Sequence, residues 1–169
     1  MTPPVRKLVL TAHVTFSVGW FGAVAAFLAL AIGGLVSHAA EAVRASYLAM
    51  AVIGWFVIVP LGIGSLLVGI VQSLGTEWGL FRHYWVLVKL VLTIAALILL
   101  LLHMRLVSHV SSIAAATGLS AGDLRGMRIQ LVGDASGALV VLLVNTVLSI
   151  YKPRGMTRRG RRAQRERSA

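Results

Sequence analysis

Four long apolar stretches constrain the fold of this chain more than any other feature. A helix needs roughly 20 apolar residues to cross the hydrocarbon core of a bilayer, and each stretch meets that length. Hydrophobic residues make up 58% of the chain, whereas only 12% of its residues are charged. We therefore expect an all-α transmembrane four-helix bundle, formed as one membrane domain by residues 1–151. The predicted spans cover residues 8–36, 47–71, 84–102 and 131–151.

Two of the spans carry a further structural prediction. Pro60 lies inside the second span and has no N–H to donate to the preceding turn, so we expect a kink there. The third helix is expected to continue past the membrane toward Ala116.

The basic residues predict the orientation of the bundle. The formal net charge is +11, and most of the excess lies in residues 152–169, with Arg6 and Lys7 before the first span. Four spans put both termini on one side, and the positive-inside rule makes that side cytoplasmic. We expect residues 152–169 to form a disordered basic tail beside anionic lipid headgroups. The tail has no aromatic residue on which bases could stack, so a nucleic-acid partner is not expected.

Composition also indicates the compartment and excludes some chemistry. Arginine outnumbers lysine and alanine is abundant, which is typical of a GC-rich bacterial genome, so we expect a multi-pass protein of a bacterial plasma (inner) membrane. The chain has no cysteine, which excludes disulfides, thiolate metal sites and c-type haem attachment. It contains no G-x-S-x-G, H-E-x-x-H or P-loop pattern, and no span holds a pair of carboxylates, so hydrolase chemistry is not indicated.

Three polar residues are expected at a similar depth in the membrane. At 1.5 Å per residue, His13 and Lys89 lie about 6–8 Å inside their spans and Asn145 about 9 Å inside its span. The first and third spans leave the side to which the fourth returns, so all three residues belong to the cytoplasmic leaflet. Because lipid offers no hydrogen bonds there, each must find a partner, reach the interface or take part in function.

Helical spacing places these residues on two stripes that can line a pocket between the first and third spans. The first stripe contains His13, Ser17 and Trp20, and the second contains Trp85, Lys89, Thr93 and His103. Apolar walls, an imidazole nitrogen and a few polar groups suit a flat porphyrin. The candidate cofactor-binding residues are His13, Lys89, Trp20, Ser17, Trp85 and Asn145.

Each of these residues has a structural alternative that the sequence leaves open. His13 could be a buried imidazole bonded to a serine or a carbonyl, or could carry protons, instead of ligating a haem iron. Lys89 could extend its ammonium group to the headgroups, ligate, or pair with a propionate. Asn145 could simply join two helices through hydrogen bonds.

A second candidate site lies at the opposite interface. His38, His103 and His109 are all expected there, and imidazoles suit copper or zinc. Asp134 is expected nearby, either paired with Arg105 or Arg128 or facing water.

Two segments resemble a known group of membrane proteins. The segment His13–Gly22, with sequence HVTFSVGWFG, resembles the first helix of the HemJ-type protoporphyrinogen oxidases and their CopD-like relatives, in which a histidine precedes a tryptophan by seven residues. The segment Trp85–Leu90, with sequence WVLVKL, is similar to their W-x-H-x-K-L helix, with Leu87 at the position of the motif histidine. A W-x-x-x-K-L helix is typical of an uncharacterised family of integral membrane proteins related to both.

The resemblance implies a small helical membrane bundle that binds haem b, with His13 as axial ligand and Lys89 beside it in the pocket. The leading functional hypothesis is thus a haem b protein for electron transfer or porphyrin chemistry, and its enzymatic form would be a haem-dependent oxidoreductase. One alternative is a CopD-like transport subunit for copper or another small solute, which would use the outer histidines. Another is a non-catalytic subunit or assembly factor, in a homo-oligomer or a larger membrane complex. The catalytic residues, the substrate and the redox partner are not predicted.

Overall fold

Four long helices make up the protein, as the sequence predicts. The computed structural model describes residues 1–75, 80–116 and 124–151, together with Gly155, Thr157 and Arg161. All four helices are long and apolar enough to cross a membrane. They are α1 (Pro3–Val36), α2 (Ala40–Gly75), α3 (Tyr84–Ala116) and α4 (Arg125–Tyr151).

The helices extend beyond the predicted apolar spans. Pro3 and Pro4 open α1, where proline fits because the first helical N–H groups have no partner in the helix. The third helix runs to Ala116, so it continues past the predicted span 84–102 as far as expected. Hydropathy detects only the part of a helix that lipid surrounds, so the predicted spans are shorter than the helices.

The helices form an antiparallel ring in which each packs against two neighbours. The neighbours are α1 and α2, α2 and α3, α3 and α4, and α4 and α1. Consequently α1 and α3 lie diagonally across the bundle, and both turn one face toward its centre. We call the half of the bundle that contains the start of α1 and the end of α4 the terminal half, and the opposite half the far half.

A five-residue π-helical turn, Gly54–Ile58, interrupts α2 just before Pro60. Within it, the amide of Val59 donates to the carbonyl of Gly54, five residues earlier. Pro60 cannot donate to the preceding turn, and the wider π turn accommodates this break in the hydrogen-bond ladder. The disruption lies just before Pro60, where a kink is expected from the sequence, and it takes the form of a π turn. The indole of Trp55 within this turn donates to Ser108 of α3 at 3.1 Å.

Close packing is concentrated in the far half. In a bilayer, van der Waals contact rather than burial from water drives helix association, so side chains and small residues must fit closely. Gly54 shows this fit, because a Cβ there would lie 2.6 Å from the Met104 methyl group. The buried aromatic and methionine side chains of this core are Trp20, Phe27, Tyr47, Met50 and Met104.

A fully buried arginine joins three helices in the far half. Arg128, in the first turn of α4, donates from Nε to the Tyr47 hydroxyl at 2.8 Å and from Nη2 to the Gly34 carbonyl. Its guanidinium carbon also lies 5.5 Å from the centre of the Tyr47 ring. A Cβ on Gly34 would approach that ring to 3.0 Å, so the glycine leaves room for the tyrosine. The carboxylate of Asp134 lies 2.8 Å from His103 Nδ1, and the side chain is 45% exposed, in agreement with the expectation that it faces water.

Part of the basic tail contacts the start of α3. The Thr157 amide donates to the Arg82 carbonyl at 2.9 Å, and its hydroxyl donates to the Phe81 carbonyl at 2.6 Å. The carbonyl of Gly155 accepts from the Tyr84 amide at 3.3 Å. These residues connect the end of the chain to the segment before α3. The rest of the tail predicted at residues 152–169, apart from Arg161, lies outside the described residues.

Candidate functional site

A cavity of about 660 Å³ lies in the terminal half, and all four helices line it. Its walls are mainly apolar, with polar side chains from every helix. Of the predicted site residues, His13, Ser17, Trp85 and Lys89 line the cavity together. The remaining polar lining residues are Ser65, Gln72, Ser73, Thr93, Thr146 and Ser149.

His13 presents an imidazole with an unsatisfied nitrogen. Its side chain is half-buried, and Nδ1 is buried without a hydrogen-bond partner among the described residues. Gly69 of α2 faces this ring, since a Cβ at that position would lie 3.0 Å from Cε1 and 3.4 Å from Nδ1. A buried nitrogen without a partner is costly, and such groups usually have a structural water or ligand to explain them.

One turn further along α1, a serine pair spans the cavity wall. The Ser17 and Ser65 hydroxyls lie 2.9 Å apart, and either can donate. This bond fixes α1 against α2 immediately next to His13, which orients the face of α1 that carries the imidazole.

Lys89 lies at one end of a chain of hydrogen bonds between α3 and α4. Its ammonium group donates to the Ser149 hydroxyl, which in turn donates to the Asn145 carbonyl at 2.8 Å. The Asn145 amide donates to the Thr93 hydroxyl at 3.2 Å. These bonds join α3 to α4 and hold the ammonium group of Lys89 at the cavity. Among the described residues that line the cavity, Lys89 carries the only formal charge, so the site favours an anionic group.

Two predicted site residues lie outside the cavity lining. Asn145 is buried and joins α4 to α3 through Thr93, which matches its interpretation as an interhelical link. Trp20 belongs to the packed core, where its ring would meet a Cβ on Gly62 at 3.1 Å. Its indole nitrogen has no partner within the described part of the chain.

The histidines of the far half are not brought together. His103 Nδ1 lies 2.8 Å from the Asp134 carboxylate, and its ring packs edge-on against Phe27 with centroids 6.1 Å apart. His38 and His109 are exposed. In the parts of the chain that are described, no group of three or more His, Asp or Glu side chains could hold a metal ion, so the three-histidine outer site is not formed.

Three residues at the cavity were missed by the sequence analysis. Ser65 and Ser149 are the partners of Ser17 and Lys89, and Gln72 has a buried Oε1 without a partner among the described residues. Gln72 could have been found, because it directly follows the second predicted span and lines the same cavity as His13. The serines give no such signal, since a serine in a membrane helix can bond to its own backbone.

Comparisons with models of protein families, with curated proteins and with solved structures found no match to this chain.

Proposed function

We propose that this protein binds haem b in the cavity of the terminal half and serves electron transfer or porphyrin chemistry in a bacterial plasma membrane. The observation that carries the proposal is the position of His13, which lines a cavity of about 660 Å³ with a buried nitrogen that has no partner among the described residues. The resemblance of the segments around His13 and Trp85 to haem-binding membrane proteins supports the same assignment.

The residues present fit the group in two respects. The cavity volume falls within the range of about 300–1,000 Å³ that is usual for ligand sites. Lys89 supplies a cation that can pair with a propionate, within an otherwise apolar lining.

Each of the cavity residues would have a separate role in binding the haem. His13 would hold the iron through an imidazole nitrogen, and the neighbouring Ser17–Ser65 pair would keep α1 in position. Lys89, held by Ser149, would fix the anionic edge of the ring, and Trp85 would provide an apolar wall. Bound haem supplies a one-electron couple whose potential the axial ligand and the apolar surroundings adjust.

The first test is the absorption spectrum of detergent-purified protein from haem-replete cells. We expect a Soret band in the wild type and its loss in His13→Ala, because the ligand nitrogen is removed. His109→Ala is the matched control, since His109 is an exposed histidine of α3 that does not line the cavity. It should retain the full band.

A colourless wild-type protein that also fails to bind added haem would overturn the proposal. Co-purification of that colourless protein with a larger enzyme would favour a non-catalytic subunit instead. A band of equal intensity in wild type and His13→Ala would show that the haem binds elsewhere.

A further inference from the structure

The cavity is closed where α2 and α3 line it and open where α1 and α4 line it. Every lining residue contributed by α2, by α3 and by Leu80 is buried or half-buried. By contrast, α1 and α4 contribute lining residues that are also exposed on the outside of the bundle. These rim residues are Leu10, Val14, Val18 and Phe21 of α1 and Leu143, Thr146 and Ile150 of α4.

The position of the rim residues locates an opening. Since α1 and α4 are neighbours in the ring, side chains that are both exposed and in contact with the cavity mark a gap between these helices. The exposed fractions of Val18 and Ile150 are 65% and 71%, which shows that the rim reaches the outer surface. On α1 the rim lies well inside the helix, whereas on α4 it reaches Ile150, one residue before the helix ends at Tyr151. The opening therefore runs along the side of the bundle, between α1 and α4, as far as the end of α4.

The chemistry of the rim determines what can pass. Six of the seven rim residues are apolar and the seventh is Thr146, so at membrane depth the opening faces acyl chains and not water. The interior, however, presents His13, Gln72 and the cation Lys89. An apolar entrance that leads to a cation suits a flat or elongated amphiphile with an acidic group.

We infer that the cavity takes its ligand sideways from the lipid, through the opening between α1 and α4, and that this ligand is a membrane-dissolved amphiphilic carboxylate. The inference rests on the proposed function where the ligand is haem b, whose two propionates make it such an amphiphile. The inference also covers other amphiphiles that carry a carboxylate, because it uses the opening and Lys89 and does not require His13 to bind iron.

The test narrows the opening with a bulky side chain in protein reconstituted into nanodiscs. Val18→Trp places an indole on the rim. Val91→Trp is the matched control, because Val91 of α3 is also a lipid-facing valine, 63% exposed, and does not line the cavity. In the first arm, haem b is dissolved in donor vesicles and the growth of the Soret band is followed. Val18→Trp should load about tenfold more slowly than wild type, as expected for a steric block on association, whereas Val91→Trp should load at the wild-type rate.

The second arm does not depend on haem. Stearic acid with a nitroxide on carbon 5 is added to the same nanodiscs, and the immobilised fraction of its electron paramagnetic resonance spectrum is measured. The fraction is followed with time after the probe is added, and wild type and Val91→Trp should immobilise the probe faster than Val18→Trp.

The two arms separate the possible failures. If no variant gives a Soret band but the stearate difference appears, the proposed function fails and the lateral entrance stands. If loading rates and immobilisation rates are the same in all three proteins, the entrance is overturned. A dimer by native mass spectrometry that Val18→Trp disrupts, with loading unchanged, would assign the opening to a second copy of the chain and would also overturn the inference.

Discussion

Lys89 shows how a cation is accommodated among apolar helices. Its ammonium group donates to Ser149, and that serine is held by the Asn145 carbonyl. Hydroxyl and carbonyl dipoles thus help to solvate the charge inside the bundle.

Removing this partner should weaken the bundle measurably. Ser149→Ala deletes a hydroxyl that links α3 to α4 at a charged group, so we expect a loss of about 1–2 kcal/mol in unfolding free energy. Thermal unfolding in detergent measures it. Ser136→Ala is the control, because Ser136 lies on the same helix and bonds only to the backbone of its own helix in the described contacts, at 2.8 Å from the Val132 carbonyl. Equal losses in both variants would contradict a special role for Ser149.

The sequence predicts the unusual residues of the site but not their partners. His13 and Lys89 stand out because lipid tolerates neither without a reason. Ser65 and Ser149 do not stand out, because identifying them requires the rotation of α2 and α4 about their axes. Helix rotation also explains why Trp20 does not line the cavity, although the sequence analysis expects it at the site. Its spacing from His13 fits one stripe, yet it faces Gly62 in the core.

At the scale of the helices, the start of α4 is fixed by Arg128. This side chain bonds to the end of α1 through Gly34 and to α2 through Tyr47, so one residue sets the position of three elements. The sequence did not predict this contact, because an arginine near the end of a span is usually read as an interfacial residue. Gly34 leaves room for the tyrosine ring beside the buried guanidinium.

Removing one oxygen tests this contact. Tyr47→Phe keeps the ring beneath the guanidinium but removes the acceptor of Nε, and a hydrogen bond to a charged group is worth about 1.5–3 kcal/mol. We expect a loss of that size in unfolding free energy. Tyr84→Phe, at an exposed tyrosine that opens α3, should change it little. An unchanged midpoint in Tyr47→Phe would show that water replaces the hydroxyl.

For the whole molecule, the number and order of the helices follow from hydropathy alone, whereas the division into a packed and a hollow half does not. The far half contains the aromatic and methionine core, and the terminal half contains the cavity. Both halves are equally apolar in sequence, so hydropathy cannot distinguish a filled interior from an empty one. The difference arises from side-chain shape, as in the fit of Met104 against Gly54.

Orientation is a whole-molecule prediction that reporter fusions can check. The basic residues at both ends predict that the termini, and with them the cavity, lie on the cytoplasmic side. Green fluorescent protein fused after Arg161 should fluoresce, and alkaline phosphatase at the same position should be inactive. Fusions after Ala116, the end of α3, should behave in the opposite way. Active phosphatase at Arg161 would invert the orientation and put the cavity in the outer leaflet.

Because α4 packs against α1, the last helix lies beside the first and closes the ring. The packing of the four helices therefore does not depend on where the chain begins. The covalent link between α2 and α3 is then only one of three connections at which the polypeptide could be cut. Two hairpins made from separate genes could rebuild the same bundle. A joined copy that begins at α3 and ends at α2 would do so as well. This architecture is therefore compatible with an origin from two separate helical hairpins that associated.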